Sequence, residues 1–231
     1  MNFSIVIFMF NEAGNIRKVY SDVVAQLQHM NANYEIILVN DGSTDDTGKI
    51  CQQLQTEFPY TSIITHPKNL GIGAALTAGY HAAKNEYVCA IPGDGQFNIK
   101  ELSNTKPFNN STYYSFYRLK TNYSFYRSCL TWINRLFNQH LLGIYLRDVN
   151  WIKVYRKEQL LAVKTKLTSS LIESEICAKL YKMNIMPIEI PSEYLPRTYG
   201  IAKGGSWKTL RKAMIETSKL WWEVHKFTVE K

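Results

Sequence analysis

Cysteine is scarce and scattered in this chain. Cys51, Cys89, Cys129 and Cys177 are its four, and no two form a CxxC pair. That spacing argues against a zinc ribbon or a disulfide framework, and Cys89, inside an apolar run, reads as a buried thiol. A reducing, cytoplasmic setting is expected. Long hydrophobic runs are missing too: nothing approaches the roughly eighteen consecutive apolar residues of a membrane-spanning helix. The apolar N-terminus has no basic segment and no small-residue cleavage site, so it does not read as a signal peptide. The GxxxxGK[ST] pattern is absent, which argues against P-loop kinase or ATPase chemistry. No internal repeat is evident, nor a linker long enough to separate two domains.

What is present is a chain of 231 residues, 45% hydrophobic, with a formal charge of +8. That length and composition predict one globular domain with a substantial core. The charge favours phosphates, nucleic acid or an anionic membrane as partners. No nucleic-acid recognition module is recognisable, so nucleic acid is not expected.

The first ninety or so residues alternate regularly between strand and helix. Residues 3–10 are nearly all apolar, as a strand covered on both faces should be. Ile16, Val19, Val23 and Leu27 recur at helical spacing within 15–30. Strands are expected at 34–39, 62–65 and 86–91. Between them fall a helix capped by Ser43 or Thr44 and ending before Pro59, and an alanine-rich helix over 70–84. Such alternation predicts an α/β fold with a mostly parallel sheet, right-handed crossovers and flanking helices. Beyond residue 98 the pattern loosens. A short helix at 99–106, strands at 112–119, 151–155 and 185–190 (the last closed by Pro191), and helices at 128–141, 171–183 and 207–224 are expected. The resulting division is a ligand-binding half at 1–98, an acceptor half at 99–206, and a basic amphipathic C-terminal helix at 207–231.

The polar residues fall where such a sheet binds ligands, just beyond the carboxyl ends of strands. Phe10-Asn11-Glu12 follows the first strand, Asp41-Gly42-Ser43 the second, and Gly93-Asp94-Gly95-Gln96 the fourth. Asp41-Gly42-Ser43 reads either as turn and capping chemistry or as a contact to a base or ribose. Asn69-Leu70-Gly71-Ile72-Gly73 reads either as close packing of a helix start or as ligand contact. Asp94, between two glycines, reads either as an Asp-Gly turn acid or as a carboxylate presented to a divalent ion that bridges to a diphosphate. Arg118, Arg127, Arg147, Arg197 and Lys203 each read either as a solvated surface charge or as a phosphate contact, since guanidinium forks match phosphate oxygens. Asp148 could line an acceptor-side cleft, and Glu175 is either a catalytic-side acid or an exposed helix carboxylate. In the last helix Trp207, Leu210, Met214 and Trp221 share a helical spacing, with Lys208, Arg211, Lys212 and Lys219 around them. That helix suits either an anionic bilayer surface or a cover over the sheet.

Together these segments resemble the inverting, family 2 type glycosyltransferases, and within them the dolichyl- and polyprenyl-phosphate sugar synthases. The opening strand with Phe10-Asn11-Glu12, the Val39-Asn40-Asp41-Gly42-Ser43-Thr44-Asp45 segment and Asn69-Leu70-Gly71-Ile72-Gly73-Ala74 look like the family's nucleotide-binding signatures. Gly93-Asp94-Gly95-Gln96-Phe97 looks like its metal and diphosphate motif. Arg147-Asp148-Val149-Asn150-Trp151-Ile152-Lys153 resembles its acceptor-side segment, and Pro196-Arg197 with Gly200 and Lys203 its late basic segment. Two departures stand out: Pro92 sits where many relatives have a first acid, and Phe116-Tyr117-Arg118 stands where many have Gly-x-Arg.

The resemblance implies a GT-A-like, Rossmann-related fold and a nucleotide-sugar donor held by Phe10, Asn11, Glu12, Asp41, Ser43, Asn69, Gly71, Gly93, Asp94 and Gln96. It further implies Mg2+ or Mn2+ on Asp94, with Asp94, Asp148 and Glu175 as catalytic acids. Inverting transfer to a polyprenyl phosphate, oriented by Arg118, Arg127, Arg147, Arg197 and Lys203, is the expected reaction. A soluble transferase acting on a glycan or other hydroxyl, and a non-catalytic nucleotide-sugar-binding protein, are the alternatives. A peripheral position on the cytoplasmic membrane face, a membrane partner protein and a homo-oligomer are compatible with the sequence.

Overall fold

A computed structural model of the chain describes residues 1–119, 125–197, 199 and 207–228, without the side chains of 125–131, 133 and 207–214. The first strand, β1 (Asn2–Met9), is flanked in parallel by β2 (Asn33–Asn40) and β4 (Tyr87–Pro92), and β2 by β3 (Thr61–Thr65). Ile5, Val6 and Ile7 are fully buried, as are Ile36 to Val39, because helices cover both sheet faces. Helices α1 (Ile16–His29) and α2 (Thr47–Glu57) are in mutual contact on one face, as the right-handed crossover rule requires for β1, β2 and β3 added in one direction. On the other, α3 (Ile72–Ala82) returns across β2 and β1.

The second half extends the same sheet. β5 (Thr112–Arg118), β6 (Lys153–Arg156) and β7 (Met186–Ser192) complete the seven-stranded order β3-β2-β1-β4-β6-β5-β7. β6 runs antiparallel to both β4 and β5, whereas β5 and β7 pair in parallel. The expected mostly parallel sheet is therefore present, with one reversed strand, β6, between β4 and β5. A 3₁₀ turn (Ile99–Asn104) packs on α1. α4 (Phe125–Leu142), α5 (Lys157–Val163), α6 (Ile172–Lys182) and α7 (Trp207–Lys226) form a connected group.

Several local expectations are corrected. Helix α2 begins behind Asp46 rather than at Ser43 or Thr44, whose hydroxyls bond Asn11 instead. Helix α3 begins at Ile72, because Gly71 has φ +97° and interrupts the helical backbone before it. Strand β7 runs through Pro191. It is an edge strand in which Met186 N–H and Ser192 C=O bond toward β5, so Pro187 and Pro191 have the parity that faces away. Helix α5 was not expected, since only Gln159 and Val163 of its seven residues are buried and no apolar stripe announces it.

Candidate functional site

Three polar loops meet at the carboxyl ends of β2, β1 and β4, with the topological switch point between β1 and β4. The loop after β1 is held to the loop after β2 by a series of hydrogen bonds. Asn11 adopts φ +57° and donates its N–H to Ser43 Oγ at 2.9 Å, while Thr44 N–H donates to Asn11 Oδ1 at 2.8 Å. Glu12 N–H donates to Thr47 Oγ1 and Ala13 N–H to Asp45 Oδ2. Much of the polarity of these motifs thus organises the loops themselves.

Asp41 is buried and works the same way. Its Oδ1 accepts from Leu70 N–H at 3.0 Å and lies 2.7 Å from His66 Nδ1, and its Oδ2 accepts from Gly71 N–H at 2.8 Å. The carboxylate ties the end of β2 to the start of α3, with Asn69 exposed beside it. The glycines nearby serve close packing. A Cβ on Gly73 would meet Ser169 O at 2.2 Å, and one on Gly79 would meet Val6 Cγ1 at 2.2 Å.

Glu12 and Asp94, on opposite sides of the switch point, converge on one guanidinium. Arg197 Nη1 donates to Glu12 Oε1 at 2.9 Å and Nη2 to Asp94 Oδ2 at 2.6 Å. Asn15 Nδ2 donates to Glu12 Oε2 at 2.6 Å, and Gln96 N–H to Asp94 Oδ1 at 3.1 Å. Burial pushes the Asp94 carboxyl above the usual range, opposed by the Gln96 N–H and by Arg197. Burial raises Glu12 also, opposed by Asn15 and Arg197 and reinforced by the neighbouring Asp94. The segment carrying Arg197 lies along the Asp94 motif: Leu195 N–H bonds Gln96 O, and Tyr194 bridges Phe97. The Tyr199 ring covers Gly14, where a Cβ would lie 2.6 Å from it. Gly93 N–H bonds Phe8 O, and Pro92 ends β4 opposite Phe8. Phe10, which follows β1, is half-buried.

A second polar group forms at the end of β5. Arg118 Nε and Nη2 donate to Asp148 Oδ2 and Oδ1 at 2.6 and 2.9 Å, a two-point fork. The Arg118 guanidinium stacks 4.7 Å from the Trp151 ring and 5.6 Å from that of Tyr194. Trp151 Nε1–H is anchored on Ser192 Oγ, and Trp151 packs edge-on against Phe97. Phe97, Trp151 and Tyr194 thereby form an aromatic wall joining the Arg118 group to the Asp94 motif.

Other expected residues lie elsewhere. Arg147 is 61% exposed, stacked on Tyr117 with Glu189 beside it. Glu175 is fully buried in α6 and is not an exposed helix carboxylate. It accepts from Lys166 and Leu167 N–H and pairs with Lys179 at 2.6 Å. Arg197, expected among the acceptor contacts, lies against Glu12 and Asp94. The Arg127 side chain, Gly200 and Lys203 fall outside the described residues.

The model of the family described as Glycosyl transferase family 2 matches residues 4–141. The chain belongs to that family. A dolichyl-phosphate beta-glucosyltransferase of Trichomonas vaginalis is 32% identical over 102 residues, 42% of this chain and 30% of that protein. An undecaprenyl-phosphate 4-deoxy-4-formamido-L-arabinose transferase of Pseudomonas savastanoi is 34% identical over 101 residues, 43% of this chain and 30% of that protein. These matches span less than a third of either relative. Among solved structures, mannosyl-3-phosphoglycerate synthase of Rubrobacter xylanophilus superposes with a TM-score of 0.69 at 14% identity, covering 100% of this chain and 77% of that one. A mannosyltransferase of Pyrobaculum calidifontis, in complex with GDP-Man and Mn2+, gives 0.63 at 15% identity, covering 99% and 65%. The fold of this family 2 chain is therefore GT-A.

Sequence reasoning about the family 2 site assigned no role to His66, Glu173 or Tyr194, and carried Lys153 only as the last residue of the acceptor-side segment. His66 directly follows β3, so the strand-end rule that selected Asp41 should have selected it too. Lys153 had a signal as well, the single charge in the apolar and aromatic strand expected at 151–155. Tyr194 and Glu173 had none, because their partners are distant in sequence.

Proposed function

We propose that this chain transfers a sugar from a nucleotide-diphosphate sugar to a polyprenyl phosphate, with inversion at the anomeric carbon. The observation that carries the reading is the aromatic wall of Phe97, Trp151 and Tyr194. It joins a carboxylate group at the switch point to an arginine group at the end of β5. The names of the two curated relatives, one acting on dolichyl phosphate and one on undecaprenyl phosphate, support a lipid-phosphate acceptor.

On this reading the donor lies over the loops after β1, β2 and β4, with its diphosphate toward Asp94. The acceptor phosphate sits at Arg118. A phosphate oxygen is already anionic at neutral pH, so it attacks the anomeric carbon without a base. The bond to the diphosphate breaks as the new one forms, and the diphosphate leaves with the electron pair. Arg118 orients the nucleophile, and Asp148 and Trp151 orient Arg118. A hydroxyl acceptor would need a base within reach. Here both Asp148 oxygens already accept from Arg118, which favours the phosphate.

The donor set fits a divalent ion. Among the described residues no three His, Cys, Asp or Glu side chains cluster for a metal. Asp94 and Glu12 nevertheless converge on a single cation, the Arg197 guanidinium, and offer hard oxygen donors. Asp94 would hold Mg2+ or Mn2+, with Glu12 beside it. Such an ion, when bound, neutralises charge on the departing diphosphate.

Among the described residues no helix is long and apolar enough to cross a membrane. Ile215, Trp221 and Trp222 on α7 and Trp132 on α4 are exposed, which supports contact with a bilayer surface where a polyprenyl phosphate resides.

The test is incubation with labelled uridine- and guanosine-diphosphate sugars, polyprenyl phosphate and Mn2+ or Mg2+. Label should partition into organic solvent, the product's anomeric proton should report inversion by NMR, and Asp94→Asn should slow transfer by about 10²-fold or more. Label transferred only to water-soluble hydroxyl acceptors would replace the lipid-phosphate reading with a soluble transferase.

A further inference from the structure

Lys153 lies in β6 with no exposed side-chain surface. A lysine is almost never buried so completely unless it is paired. Its Nζ donates to Val149 O at 2.6 Å and to Trp151 O at 3.0 Å. Those two carbonyls flank Asn150, in the turn that presents Asp148 and Trp151 to Arg118. On its other side, the ammonium lies 3.9 Å from Glu173 Oε2 of α6. Glu173 is fixed in turn by Tyr80 O–H from α3 and Tyr155 O–H from β6, each at 2.7 Å. A connected polar strut therefore runs from α3 and α6, along the face of β6 that carries both Lys153 and Tyr155, to the turn at 148–151.

An apolar side chain of the same length would fill this volume with no charge to desolvate, and replacing both members of a buried ion pair in this way is often neutral or stabilising. What it could not do is bond two backbone carbonyls of one tight turn. We propose that Lys153 is a positioning residue: it fixes the 148–151 turn so that Asp148 and Trp151 hold Arg118 in the orientation that receives the acceptor phosphate. The proposal rests on the acceptor reading of Arg118 given above. Glu173 anchors Lys153 from beneath and acts at one further remove.

Three variants of the whole chain test it: Lys153→Met, Glu173→Gln, and Tyr80→Phe, which removes one hydrogen bond to Glu173 at nearly constant volume. Tyr80→Phe keeps the series informative if a more disruptive member does not fold. Amide hydrogen exchange across 148–152 should quicken about tenfold in each folded variant, with the β1–α1 segment unchanged. The KM for polyprenyl phosphate should rise about tenfold. Thermal stabilisation by the donor sugar nucleotide should stay at the parent value. Unchanged exchange across 148–152 overturns the proposal, as does faster exchange with an unchanged acceptor KM. If the parent chain does not turn over polyprenyl phosphate, the acceptor reading fails on its own, and the exchange arm still decides whether Lys153 holds the turn.

Discussion

Arg197 Nη2 lies 2.6 Å from Asp94 Oδ2, across 103 residues of sequence, and the same guanidinium bonds Glu12. One cation thus joins the two acids that flank the switch point. Removing it leaves two mostly buried carboxylates facing each other. Arg197→Gln is expected to lower stability by about 2–4 kcal/mol in the presence of a chelator. Mn2+ should then raise Tm more in the variant than in the parent, because the acids have lost their resident cation. Scanning fluorimetry with EDTA and with Mn2+ checks both. Equal Mn2+ shifts in the two proteins would remove Glu12 and Asp94 as cation ligands.

Asp41 accepts from Leu70 and Gly71 N–H and faces His66, so it shapes the loop before α3. Asparagine has a single acceptor oxygen and would leave a donor unpaired. Asp41→Asn should cost about 1–3 kcal/mol by urea titration with no ligand present. A variant as stable as the parent that no longer binds donor would instead assign the carboxylate to the nucleotide.

Glu175 separates folding from catalysis. Its oxygens are taken by Lys166 and Leu167 N–H and by Lys179, with no exposed surface. Glu175→Gln should destabilise by about 3–5 kcal/mol, leaving donor-induced stabilisation intact in the folded fraction. Normal stability with turnover abolished would instead support the expected catalytic role of Glu175.

Helix α3 can approach β1 because Gly79 lacks a Cβ, which would lie 2.2 Å from Val6 Cγ1. Gly79→Ala should cost about 1–3 kcal/mol despite alanine's better helix propensity. Adding Val6→Ala should recover part of that loss in a double-mutant cycle. Strict additivity would mean that the two residues do not meet.

Burial works against ionised Asp45, yet hydrogen bonds from Thr47 and Ala13 N–H hold its carboxyl below the ordinary aspartate value. A carboxyl depressed in the folded state adds stability above its unfolded pKa and loses it as pH falls through the folded one. Asp45→Ala should therefore lower stability at neutral pH and flatten the acid limb of a stability–pH curve. Parallel acid limbs for the parent and variant would count against this linkage.

The strand–helix alternation of the first half was legible because hydrophobic periodicity is local. The runs at 3–10, 34–39 and 86–91 could be little other than buried strands, and their order placed Glu12, Asp41 and Asp94 at one sheet edge. Periodicity assigns faces, however, and not partners. It could not show that β6 would insert antiparallel between β4 and β5. Nor could it show that Asn11, Ser43 and Asp41 would bond one another or their neighbouring loops. The pairing of Glu175 with Lys179 was within reach of helical spacing, but its complete burial depended on how α6 packs. The sequence by itself determined the layered α/β architecture and the ring of polar loops at its carboxyl edge. Only the tertiary structure decided which charges meet, because Arg197 with Asp94 and Arg118 with Asp148 are joined by chain return over long separations. Lys153 joins that group: its neighbours in the strand are local, but the Glu173 carboxylate beneath it comes from another element.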